Sequence, residues 1–319
     1  MKMNKRKSTL LGLALFLISG VVLAVTLPPK ISWNPAQLNP ASIAPGQTAS
    51  FSVALIHTGI LPIPATNQLR VVAEGDILPF VTVTQPTFPP VIKEGNSVNI
   101  NLTVTVPQGT PLSVVKGNLT LNRILPNGTV KEVWRADALP LELTFSSFFI
   151  PPAPNKALDE ATIEGVDSDA NGVPDRADRF IAFAAPESEK KRMAMTLSAK
   201  AQQDFFLDYL DHLGEDPNDA TVVERVRGMA DVRAKTLYCR MYAFDVHESN
   251  SIDDAPWITY KKSSGELRAL FMDTSERLRA FQESERPLVA TSASIRPETN
   301  QEYKQQCLDL GFDPDSLPN

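Results

Sequence analysis

Apolar and polar positions alternate strictly over 97–106, where Val98, Ile100, Leu102, Val104 and Val106 interleave with Ser97, Asn99, Asn101, Thr103 and Thr105. A period of two puts every apolar side chain on one face, the signature of a strand with one side buried. Phe51, Val53 and Leu55 repeat the pattern, as do Leu139, Leu141, Leu143 and Phe145. Further β-rich runs cover 69–73, 77–84, 117–125 and 129–135, with turns at Ala44-Pro45-Gly46 and Pro126-Asn127-Gly128. Beyond 185 the period changes. Met193, Leu197, Ala201, Phe205 and Leu213 fall roughly on one helical stripe, predicting a helix from Pro186 that ends before Gly214. A second helix is expected from Asp216-Pro217 through Val222, Val223, Val226, Met229, Leu237 and Met241. Asp273-Thr274-Ser275-Glu276 has the form of a capping box ahead of Leu278 and Phe281, and a last helix is predicted over 297–310, stopped by Gly311.

Seven short strands spaced over about 115 residues resemble the immunoglobulin-like sandwiches of bacterial surface and periplasmic proteins, in the form that lacks a Cys…Trp…Cys signature. The predicted architecture is therefore multidomain. An all-β immunoglobulin-like sandwich covers 28–147, a Pro-rich linker 148–157, and a mainly α-helical domain 158–319. Composition places the seam independently: of 26 prolines, 18 lie between Pro28 and Pro154. Charge shifts at the same place, the second half carrying nearly all the acidic excess of a chain whose formal net charge is -6. At 319 residues the chain is long enough for two separate cores.

The N-terminus belongs to neither domain. Lys2, Lys5, Arg6 and Lys7 form a basic stretch, 10–25 is an almost unbroken apolar run, and Val22-Leu23-Ala24 supplies small residues at a signal-peptidase site. This predicts a signal peptide over 1–24. The alternative is an uncleaved anchor, although a run of about 16 residues falls short of the about 20 that span a bilayer. Export places the protein in the periplasm or outside the cell, in a bacterial envelope, with membrane contact expected only if the segment is kept. In an oxidising compartment Cys239 and Cys307 most simply pair as a disulfide, the alternative being two unrelated buried thiols.

The chemistry concentrates in 167–178, Asp-Ser-Asp-Ala-Asn-Gly-Val-Pro-Asp-Arg-Ala-Asp. A twelve-residue calcium loop takes side-chain oxygens at positions 1, 3, 5, 9 and 12, a backbone carbonyl at 7, and glycine at 6 for the turn. Those places hold Asp167, Asp169, Asn171, Asp175, Asp178, the carbonyl of Val173, and Gly172. Hard oxygen donors without histidine or cysteine select calcium over zinc. Pro174 at position 8 has no N–H to exchange with a partner loop, and no second D-x-[DN]-x-[DN]-G occurs, so the loop is expected to act alone. The pattern resembles the loops of thrombospondin type 3 repeats and of dockerins, where aspartate also closes the loop. Over its dozen residues that resemblance implies calcium ligation at the matching positions and no substrate. A solitary loop outside the cytoplasm points to a structural ion rather than a sensor.

Catalytic motifs are scarce. His57 is expected in a sandwich loop, His212 at a helix end, and His247 after the second long helix. His247-Glu248 lacks the second histidine of a zinc helix, and there is no nucleophile elbow, phosphate loop or dinucleotide fingerprint. Asp253-Asp254 beside Trp257 is the best acidic pair for a glycoside-type mechanism, against a plainer reading as a capped loop before a buried tryptophan. An acidic helical half without a basic, aromatic-studded patch argues against nucleic acid. The expectation is an exported calcium-binding protein, a non-enzymatic binding or adhesion module with a protein or glycan ligand. The alternative is an envelope hydrolase using paired carboxylates in the helical domain.

Overall fold

The computed structural model describes residues 30–59, 62–64, 68–133, 136–248, 251–286 and 297–318; the expected signal peptide lies outside them. Ten strands are described before residue 150: β1 (Ile31–Asn34), β2 (Thr48–His57), β3 (Ile63–Pro64), β4 (Leu69–Gly75), β5 (Val81–Thr84), β6 (Val91–Ile92), β7 (Ser97–Thr105), β8 (Ser113–Ile124), β9 (Val130–Glu132) and β10 (Leu139–Phe145). The period-two pattern works as expected in β7, where Val98, Ile100, Leu102 and Val104 are buried and Ser97, Asn99 and Asn101 face water. Antiparallel pairing sets Val53 of β2 opposite Ile100 and Leu55 opposite Val98, so each sheet row presents apolar pairs on one face. One sheet runs β1-β2-β7-β5; a second runs β10-β8-β4 with β9 on β8; β3 and β6 form a small separate pair.

Both large sheets contribute to one apolar core, with Leu55, Ile100 and Leu102 from the first and Leu119, Leu121 and Leu143 from the second. The rings of Phe80 and Phe145 meet within it at 4.7 Å. Gly117 of β8 is required by space: a Cβ there would lie 2.1 Å from the Glu74 carbonyl oxygen and 2.5 Å from Ile77 Cγ1. His57, expected in a loop, ends β2 and is fully buried.

The chain divides into two compact units, one ending at Phe148 and the other beginning at Phe149. The proline run at the seam is not a solvated spacer, since Ile150 is fully buried and the Pro151 carbonyl accepts from Arg179 Nη1 at 2.9 Å. The second unit contains α1 (Lys156–Asp159), α2 (Asp175–Ala184), α3 (Glu189–Asp211), α4 (Ala220–Ala243), α5 (Ala255–Leu270), α6 (Ser275–Ser284) and α7 (Asn300–Asp309). Side-chain caps set several starts: Ser188 on the Lys191 amide, Asp219 on Thr221, Thr274 on Arg277 and Thr299 on Glu302. Among the described residues, no helix is long and apolar enough to cross a membrane.

Three details depart from the sequence reading. The stripe predicted for α3 holds in part: Ala201 and Phe205 are buried as expected, Met193 and Leu213 are exposed, and Ala194, Met195, Ala199 and Phe206 are buried as well. α3 packs against α2, α4 and α6 together, which widens its buried face beyond a single stripe. The residues 273–276 do not close a reciprocal capping box, because Thr274 is the cap and the third helical residue is Arg277. A full box forms instead on α7, between Thr299 and Glu302. Finally, α5 falls where the sequence pattern predicted no element; it is entered through Asp254 with Pro256 in its first turn.

Cys239 of α4 and Cys307 of α7 are both fully buried and joined as a disulfide with their Cα atoms 4.7 Å apart. The bond closes a loop with a sequence separation of 68, worth about 4 kcal/mol on the chain-entropy account. Reduction under native conditions is expected to lower the unfolding free energy of the helical unit by that order, seen as a lower denaturant midpoint. An unchanged midpoint in reducing and non-reducing titrations would show that packing alone holds α7.

Candidate metal centre

The approach to the acidic loop is fixed before the loop begins. Asn155 caps α1, whose last residue, Asp159, is buried. Its Oδ1 accepts from the Val166 amide at 3.0 Å and from Arg176 Nη1 at 2.8 Å. Arg277 of α6 is fully buried. It donates to the carbonyls of Ile163 at 3.1 Å, Thr162 at 3.0 Å and Asp159, and to Asp273 Oδ1 at 2.7 Å. Buried charge is tolerated because every face of the guanidinium meets a carbonyl or carboxylate oxygen. Arg176, held below its ordinary pKa first by burial and then by Arg277, also donates to the Leu270 carbonyl at 3.0 Å. Residues 159–166 are thereby tied to α5 and α6.

The loop then curls through two residues with positive φ, Ala170 at 56° and Gly172 at 83°. At Gly172 glycine is needed for the positive φ; the neighbour a side chain would meet is the flexible end of Lys200. Asp167 accepts from the amides of Asn171 at 3.3 Å and Gly172 at 2.9 Å. Asp175 is fully buried as the first residue of α2, and both its oxygens accept from Ser168, from the amide at 2.8 Å and from Oγ at 2.6 Å. Its own amide donates to the Val166 carbonyl at 2.8 Å, which closes the base of the loop. The Val173 side chain is fully buried in the helical core and anchors the loop's far side.

These constraints bring oxygens of Asp167, Asp169 and Asp175 within 4.8 Å of one another. Asp178 stands outside this trio but is joined to it through Asn171. Asn171 Nδ2 donates to Asp178 Oδ2 at 2.8 Å and to Asp169 Oδ2 at 3.2 Å, while its Oδ1 accepts from the Val173 amide at 2.7 Å. A lone amide group between carboxylates marks where their lone pairs converge. Burial, and then the neighbouring Asp169 and Asp167, push the Asp178 carboxyl up to about 7, against a partial lowering by the Asn171 bond. Asp169 is raised too, by burial first and by the adjacent Asp167. The six predicted positions thus lie along one folded loop. The donor set is wholly oxygen and bears excess negative charge, which fits a hard divalent cation.

Other candidate residues are dispersed. Asp253 is exposed, and Asp254 caps no amide of α5, its Oδ2 accepting instead from Ser251 N at 2.9 Å. Trp257 is partly buried against the helical core. His212 follows α3 with Nδ1 2.8 Å from the Asp208 carbonyl oxygen, and His247 stacks on Tyr242 with ring centroids 4.8 Å apart. The buried arginines, by contrast, carried no motif. Arg176 reads as a variable loop position, and Arg277 as one more charge on an amphipathic helix; only the capped start at Thr274 hinted that α6 was anchored.

The sequence matches no protein-family model, and it matches no curated protein. Among solved structures, it is similar over 38% of its length to 97% of a CARDB domain from Pyrococcus furiosus, with 12% identity and a TM-score of 0.23. It is similar over 38% to 89% of AvmM, which catalyses macrocyclization in alchivemycin A biosynthesis, with 14% identity and a TM-score of 0.26. A family 123 glycoside hydrolase from Clostridium perfringens shares 40% of this chain and 28% of its own, with 8% identity and a TM-score of 0.24. At these scores the likenesses say nothing about activity.

In the metal-free chain the raised Asp178 carboxyl has a signed consequence. The folded state holds a proton that the unfolded state loses near the ordinary value of 3.8, so this group's contribution to stability is full below about pH 4 and lost as pH rises through about 7. In chelator, wild type should lose more stability across that window than Asp178→Asn. Parallel pH profiles of the two unfolding midpoints would contradict the assignment.

Proposed function

We propose that this protein is an exported, calcium-bound binding or adhesion module of the bacterial envelope, without catalytic activity. In this reading an immunoglobulin-like unit is joined to a helical unit whose first segment is braced by the ion. The observation that carries it is the convergence of Asp167, Asp169 and Asp175 oxygens within 4.8 Å, with Asp178 linked to them through Asn171. The proposed ligands are Asp167, Asp169, Asn171, the Val173 carbonyl, Asp175 and Asp178. The disulfide between Cys239 and Cys307 is compatible with an oxidising compartment and so with periplasmic or secreted localisation.

Strand order supports the immunoglobulin-like reading of the β unit. Seven strands have four or more residues, and they pair as β1-β2-β7-β5 and β10-β8-β4. Numbered A to G in chain order, they read A-B-E-D and G-F-C, the strand order that a constant-type immunoglobulin sandwich also has. Such a unit offers loops for recognition of a protein or glycan. The hydrolase alternative finds less support, because Asp253 and Asp254 stand at a helix start and line no described cleft with other carboxylates.

Titration calorimetry on the mature protein should give one calcium site with a dissociation constant of about 10⁻⁴–10⁻³ M, in the range of extracellular modules. At tenfold excess over that constant, calcium should raise stability by about 1.4 kcal/mol. The double variant Asp167→Asn, Asp169→Asn should fold, by circular dichroism, and lose both effects. Absence of heat at millimolar calcium would end the proposal. Capture of an envelope protein or glycan by the calcium-loaded form, and its release by chelator, is the expected result for the binding role.

A further inference from the structure

A separate feature of the helical unit has the opposite charge to the metal loop. Between α3, α4 and α5 lies a cleft of about 540 Å³, within the size range of small-molecule sites. Its lining includes three arginines, Arg233, Arg240 and Arg268, and a single carboxylate, Glu285. Arg233 and Arg240 stand seven residues apart on α4, two helical turns, and so share a face. Glu285 is already engaged, accepting from Arg233 Nη2 at 3.0 Å. Arg240 and Arg268 have no carboxylate within 4.0 Å among the described residues.

Arg240 is the informative group. It is only 7% exposed, and its guanidinium lies 5.3 Å from the centre of the Tyr260 ring. Its Nε is buried without a hydrogen-bond partner. Two more donors in the same cleft are in that state, Gln202 Nε2 from α3 and Ser264 Oγ from α5. Buried polar groups are almost always paired, and three unpaired donors from three helices gather in this one arginine-lined cleft. They share one chemical requirement, an acceptor. A carboxylate or phosphate meets it, because it offers several lone pairs and matches the planar guanidinium fork. The wall also carries apolar side chains, Ala234, Leu237 and Phe271 among them, that would cover a carbon skeleton.

We infer that this cleft binds a small organic oxyanion, its carboxylate or phosphate head held by Arg240, Arg268, Gln202 and Ser264 and its apolar body against Tyr260 and Phe271. The inference stands apart from the calcium reading, since none of the proposed metal ligands lines the cleft. The probes are benzoate and phenyl phosphate, with uncharged benzamide and cationic benzylammonium as controls, at constant ionic strength and in chelator. Benzoate, phenyl phosphate or both should bind the full mature protein saturably by calorimetry, and whichever binds identifies the preferred head group. Arg240→Gln and Arg268→Gln should each weaken that binding by about tenfold or more, the loss expected for one charge-assisted bond. Arg227→Gln, on α4 but paired with Glu224 outside the cleft, should leave it unchanged. If Arg240→Gln does not fold, the exposed Arg268→Gln decides. The inference fails if neither anion saturates by roughly 10 mM, if benzamide binds as well as benzoate, or if Arg268→Gln binds like wild type.

Discussion

The helical unit depends on a guanidinium that has no contact with water. Arg277 gathers the carbonyls of Asp159, Thr162 and Ile163 with the carboxylate of Asp273, and so fastens to α6 a segment that has little regular structure of its own. Removing such a group would take the guanidinium donors from three backbone carbonyls at once, which costs far more than the net value of any one bond. Arg176 repeats the device from the other side, spanning Asp159 and the Leu270 carbonyl. The acidic loop therefore begins and ends on fixed points, residue 166 at the Asp159 carboxylate and residue 175 at the start of α2.

Between those points and the first turn of α2, four carboxylates are packed close together. The chain relieves part of their repulsion with its own donors, using the Ser168 amide and hydroxyl, the Gly172 amide and the Asn171 side-chain amide. Burial first, and then the repulsion that remains, holds the Asp178 and Asp169 carboxyls above the ordinary aspartate value. A bound divalent cation would supply the charge those bonds do not. Asp175 links the two halves of this account, being at once a proposed ligand and the first residue of α2. An ion bound there would fix the helix start as well as the loop.

Much of this was legible in the chain. Strict alternation at 97–106 gives β7 and its buried face, because a one-residue slip would expose every core side chain of that strand. The loop was legible for a related reason: ligand spacing is a local property, and Gly172 and Pro174 carry their backbone demands with them. α5 was not read, because the acidic pair before it drew attention as chemistry when Asp254 was acting as a helix start. Nor was the full width of the buried face of α3, since a helix packed by three neighbours buries residues that a single-face pattern leaves outside. Arg240 and Arg277 were invisible for a deeper reason. A charged residue on a helix reads as solvated until the elements that enclose it, distant in sequence, are in place.

The central claim is that an ion, and not only the arginine network, orders 167–178. Residue-resolved amide hydrogen exchange of the mature protein, with calcium and with chelator, tests it most directly. Calcium should slow exchange at Ser168, Asn171, Gly172, Val173 and the first turn of α2, and leave the amides of β7 and β8 unchanged. Identical exchange at those loop amides in both conditions would show that the hydrogen bonds already present are sufficient, and that the loop is an acidic turn and not a metal centre.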